Sequence, residues 1–105
     1  MNKTEEQRLD DIFAEVKEEL KRATRKFGPF NSPHEGYAII KEEVEELWDD
    51  IKANNYENQR AESIQVAAMA LRFIFDLEEL AEKRQDQKQS SALPRLKKLL
   101  HIGSK

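Results

Sequence analysis

From about Tyr56 to Gln87 the chain runs without a glycine or proline, and this uninterrupted stretch most constrains what the sequence can become. Apolar residues recur along it at helical spacing, which predicts one long helix. With Glu62 set at zero and about 100° added per residue, Ile64, Val66, Ala67, Ala68, Ala70, Leu71, Ile74, Phe75 and Leu77 spread over roughly 40° to 240°. A helix apolar around that much of its circumference belongs inside a bundle or at a subunit interface. Glu62, Gln65, Arg72 and Asp76 share the remaining arc of about 80° around Met69. That arc is either a narrow solvent strip or one wall of a site.

Two further helices precede it. The first is predicted from about Thr4 to Phe27, with Leu9, Ile12, Phe13, Val16, Leu20, Ala23 and Phe27 on one stripe, and it stops at Gly28-Pro29. Ser32-Pro33-His34-Glu35 reads as a capping box with proline at the first helical position. It launches a second helix that ends near Ala53-Asn54-Asn55. Beyond the polar run Lys83 to Ser91, Pro94 to Leu100 predicts a short amphipathic C-terminal helix at about 92–102, docking on the bundle or on another subunit. Nothing alternates like a strand and no internal repeat is visible. The expectation is a single all-α domain over 1–105, four-helix-bundle-like, with its core at about 4–87.

Composition narrows the function classes. A chain of 105 residues has a modest core as a monomer and gains from oligomerisation. The tight packing offered by Met69 among alanines suits a homodimer or higher homo-oligomer seam. A formal net charge of −3 argues against a nucleic-acid partner, because phosphate neutralisation needs clustered Lys and Arg in excess. With no cysteine, disulfides, zinc-thiolate sites and thiol nucleophiles are excluded. No apolar run approaches the roughly 18 residues of a membrane span, so the expectation is a cytoplasmic protein without a membrane partner.

The second helix carries Glu42-Glu43-Val44-Glu45-Glu46-Leu47-Trp48-Asp49-Asp50. Carboxylates at i and i+3 are neighbours on a helix surface and repel unless a hard cation sits between their oxygens. Measured from His34, Gly36, Tyr37, Ile40, Val44, Leu47, Trp48 and Ile51 gather between about 200° and 320°, the expected buried face. Glu42, Glu45 and Asp49 fall far from that face and read as plain solvent carboxylates. Glu43, Glu46 and Asp50 fall along the border of the apolar stripe, beside Ile39, where they are placed to be half-buried. Packed against the Glu62–Gln65 face, they would form a Mg²⁺ or Mn²⁺ site. E-x-x-E alone is common on charged helices, and a solvated acidic face is the plainer reading. His34 reads as exposed in the first turn, and Tyr37 and Trp48 as packing residues rather than base-stacking platforms.

The strings His34 to Ile40, Glu42 to Leu47, and Glu62-Ser63-Ile64-Gln65 through Arg72 resemble the all-α nucleoside-triphosphate pyrophosphatase superfamily, most closely its small MazG-like phage and bacterial branch. The resemblance covers roughly residues 30 to 80. It implies an E-x-x-E motif at Glu43 and Glu46, and an E-x-x-D motif on the next helix whose first position is Glu62. Gln65 stands where that family has aspartate. It implies Mg²⁺ held by Glu43, Glu46, Glu62, Gln65 and Asp50, and hydrolysis of a nucleoside triphosphate to the monophosphate and pyrophosphate. Glu43 or Glu46 would take the proton of the attacking water, and Arg72, with Lys52 or Lys41, would offset phosphate charge with Asp76 alongside; a structural Arg72–Asp76 salt bridge is the plainer reading of that pair. The alternative is a non-catalytic nucleotide-binding or helical interaction protein whose metal site is degenerate at Gln65.

Overall fold

The computed structural model describes residues 2–103, with side chains through residue 85. Among the described residues there are three α-helices and no strand: α1 (Glu5–Phe27), α2 (Pro33–Lys52) and α3 (Tyr56–Gly103). The helix starts follow local chemistry. Thr4 Oγ1 accepts from Gln7 N at 3.1 Å while Thr4 N donates to Gln7 Oε1 at 2.9 Å, a complete capping box. Ser32 Oγ accepts from Glu35 N at 3.2 Å, with Pro33 opening α2. The reciprocal half expected there is not made; Glu35 instead accepts from the Asn31 side-chain amide at 3.0 Å. Asn55 Oδ1 caps α3 through Asn58 N at 3.1 Å.

The stops are equally local. Gly28, at φ 71°, sits where a side chain is disfavoured and ends α1, its N–H bonded to Thr24 O. Asn54 takes the left-handed conformation at φ 56° in the tight α2–α3 turn, a role asparagine tolerates better than most residues.

One expectation is corrected. The sequence predicts a third helix ending near Gln87 and a fourth at about 92–102, whereas α3 is one helix of 48 residues through Pro94 to Gly103. Polarity alone does not end a helix: lysine, arginine and glutamine, which make up most of the 83–90 run, are good helix formers. Proline removes one backbone hydrogen bond and crowds the preceding turn, a cost a long helix can absorb with a kink. The expected docking of 92–102 concerns side chains outside the described ones.

Helix α3 is the axis of the molecule. At about 1.5 Å per residue it spans roughly 72 Å, in keeping with a longest extent of 69 Å. Helices α1 and α2 each pack on α3 but not closely on one another. Val16 and Ala23 of α1 meet Ala68 and Met69 of α3, with Leu20, Ile39, Ile40, Ile64 and Ala67 around them. The alanines let the helices approach closely.

The apolar stripe of α2 is buried only in part: Gly36 is buried, and Ile40 and Leu47 are half-buried. Tyr37 and Trp48 are 65% and 55% exposed, and Val44 and Ile51 are exposed as well. The covered strip is shifted to take in Ile39, Glu43 and Asp50 beside Gly36, Ile40 and Leu47. With one neighbour, a helix buries one narrow strip, and here the apolar stripe runs past it. No described helix is long and apolar enough to cross a membrane.

Candidate metal centre

Antiparallel packing across the short 53–55 turn sets the border of α2 against the start of α3. Glu43, Glu46 and Glu62 converge there, each offering a carboxylate oxygen within 4.8 Å of the others. Glu43 and Glu62 are half-buried and Glu46 is exposed. Helical phase placed Glu43 and Asp50 at the burial border, as observed; Glu46 lies further out, at the mouth of the cluster.

Electrostatics marks the cluster as strained. Burial first, and the neighbouring Glu43 carboxyl second, together push the Glu62 carboxyl up to about 7. Glu43 is raised chiefly by burial, partly opposed by a hydrogen bond with Glu62. Glu46 is raised by burial and by the Glu62 charge. Glu62 Oε2 is buried with no hydrogen-bond partner. A buried carboxylate oxygen without a donor is costly, and a hard cation satisfies it along with its neighbours. The donor set of three carboxylates from two helices thus fits Mg²⁺ or Mn²⁺.

Asp50 stands beside the cluster, adding to the upward push on Glu62. With Glu46, Asp49, Asn58, Ala61 and Glu62 it lines an open cleft of about 360 Å³. Gln65 is half-buried one turn from Glu62 and lies beside Glu19 of α1. The Glu19 carboxylate is held low chiefly by Arg22, with Gln65 contributing. Of the residues given a substrate role from the sequence, Arg72 lines a cleft that Glu43 also lines, whereas Lys52 stands apart from it. Lys52 is exposed, 3.3 Å from Asp49 and over the Trp48 ring. Arg72 and Asp76 are 3% and 2% exposed, with their polar atoms turned to the loop between α1 and α2. His34 is exposed.

Compared with family models, curated proteins and solved structures, the chain matches none.

The sequence reading missed what α1 contributes. Because α1 and α2 do not close on each other, a cleft of about 570 Å³ opens between them over α3. Arg22, Phe27, Ile39, Glu43, Gln65 and Met69 are among its lining residues, so it reaches the carboxylate cluster at Glu43. Arg22 forks onto Glu19, with Nε 3.0 Å from each carboxylate oxygen. The i, i+3 spacing of Glu19 and Arg22 was visible in the sequence, but such pairs are frequent on charged helices and carry no direction.

Proposed function

We propose that this chain is a Mg²⁺-dependent nucleoside-triphosphate pyrophosphohydrolase of the MazG-like kind, working as a homodimer or higher homo-oligomer. The observation that carries the reading is the Glu43–Glu46–Glu62 convergence, with its unpartnered buried Glu62 oxygen. Three carboxylates cannot approach a triphosphate directly, so their role is to hold cation. When bound, Mg²⁺ offsets charge on the phosphate oxygens and lowers the pKa of the attacking water. Glu43 and Glu62, half-buried, fix the ligand oxygens. Glu46, the exposed member, is placed to take the proton of the water whose oxygen attacks the α-phosphorus, while the α–β bridging oxygen leaves with pyrophosphate. The cleft reaching Glu43 offers room beside the cluster for the rest of the nucleotide.

A second reading, nucleotide or metal binding without turnover, is favoured by Gln65. An amide in place of a carboxylate removes one charge from the cluster, and this one lies beside Glu19. Pyrophosphate release from a panel of canonical and modified nucleoside triphosphates with Mg²⁺ separates the two. Release that is lost with Glu46→Gln supports hydrolysis. Metal or nucleotide binding with no release from any triphosphate leaves the second reading, and binding of neither overturns both.

A further inference from the structure

Arg72 and Asp76 are the buried charged residues among the described positions. Burying a charge is costly unless its hydrogen bonds are made, so their partners show what the burial accomplishes. Asp76 Oδ2 accepts from Phe30 N at 2.9 Å but lies 3.6 Å from Arg72 Nε, which itself has no hydrogen-bond partner. The carboxylate therefore gives its best bond to the loop and not to the arginine. Arg72 donates to Gly28 O and covers the Phe30 ring at 4.1 Å.

From the loop the chain of contacts reaches α2. Phe30 is buried and tilted against Phe73 of α3, centroids 6.4 Å apart. A Cβ on Gly36 would meet Phe73 at 2.5 Å and Phe30 at 3.0 Å, so α2 is seated directly on these rings. At the other end α2 is tied by the 53–55 turn and by Gln59 Nε2 donating to Asp50 O at 3.4 Å. Glu43 and Glu46 lie between the two attachments. Glu43 is two helical turns from Gly36 and on the same face. Beyond the turn and the packing of Ile39 and Ile40, the contacts of the 28–30 loop are what fix the Pro33 end of α2 on α3.

We propose that the buried Arg72–Asp76 pair, by gripping the 28–30 loop, is a positioning device that holds α2 along α3 and so keeps Glu43 and Glu46 across from Glu62. The consequence for metal rests on the function proposed above; the placement of α2 does not.

The chain has no cysteine, so spin labels at Ala38→Cys on α2 and Glu78→Cys on α3, both exposed positions, report the spacing of the two helices by pulsed EPR. Asp76→Ala should broaden the distance distribution. Asp76→Asn, which keeps an oxygen for Phe30 N–H, should restore most of it. Val16→Ala, a core truncation between α1 and α3, should leave it narrow. Should Asp76→Ala fail to fold, Arg72→Lys replaces it; losing the planar fork over Phe30, it should broaden the distribution too. In parallel, free Mn²⁺ measured by EPR should show Asp76→Ala binding about tenfold more weakly, with Val16→Ala unchanged. If wild type binds no Mn²⁺ while the distances respond as described, the metal reading fails and the positioning stands. A narrow distribution in folded Asp76→Ala or Arg72→Lys, or equal broadening in Val16→Ala, overturns it.

Discussion

Glu42 and Glu43 are adjacent in the chain and differ in everything that matters to the cluster. Glu43 is half-buried with an oxygen near Glu46 and Glu62, while Glu42 is exposed and acts on Glu43 only through its charge. Glu43→Gln or Glu46→Gln should therefore weaken Mn²⁺ binding at least about tenfold, and Glu42→Gln or Glu45→Gln by no more than about twofold. Calorimetric titration of all four variants checks this, and equal losses would refute the face assignment. Glu62 gives a pH signature. Its carboxyl is raised from 4.5 to about 7, so metal-free folded protein binds a proton more tightly than the unfolded chain does. That stabilisation is present below 4.5 and is lost as pH rises through about 7. After solvent screening it amounts to about 1 kcal/mol, or about 5 °C in melting temperature. Melting curves without metal should fall over that window and flatten in Glu62→Gln. Added Mg²⁺ should raise the melting temperature more above pH 7 than below pH 5, since ligand carboxylates must be deprotonated. Gln65→Asp adds a carboxylate one turn from Glu62. It should destabilise the metal-free protein, and its melting temperature should depend on Mg²⁺ more steeply than that of wild type.

Between elements, α2 is seated tightly on α3 at Gly36. In an exposed helix, Gly→Ala gains about 1 kcal/mol. Here the new Cβ would sit 2.5 Å and 2.8 Å from two Phe73 ring carbons, and the ring backs onto Phe30. Overpacking of that kind costs about 1–3 kcal/mol and outweighs the propensity gain. Gly36→Ala should lower stability by about 1 kcal/mol net, read from urea unfolding midpoints. A more stable variant would mean the α2–α3 seam is looser than its geometry indicates.

For the whole molecule, the decisive fact is how much apolar surface three helices leave uncovered. Phe13, Tyr37, Trp48, Ile74 and Phe75 are all more than half exposed, on three different helices. Exposed apolar side chains of this size are what the self-association proposed above would cover. Light scattering in dilute solution should report a dimer or larger assembly, and Trp48 fluorescence should shift to the red on dissociation. A stable monomer in which Trp48 fluorescence matches that of the free indole would overturn the self-association proposed above.

Local chemistry wrote the helix starts, and the stops of α1 and α2, into the sequence. Thr4, Ser32 and Asn55 cap with their own side chains, and Gly28 and Asn54 adopt backbone conformations that few residues tolerate. Helical phase likewise separated Glu43 from Glu42 and Glu45, because each is decided within a turn or two of one helix. The end of α3 was not legible, since a polar run and one proline are compatible with either a break or a continuous helix. Nor was the exposed part of the α2 stripe: periodicity tells which residues share a face but not whether a neighbour covers it. The meeting of Glu62 with Glu43 and Glu46, the opening of a cleft beside Arg22, and the turning of Arg72 and Asp76 to the 28–30 loop all depend on how α1 and α2 pack on α3. Those contacts join residues on different elements, and only the tertiary structure brings them together.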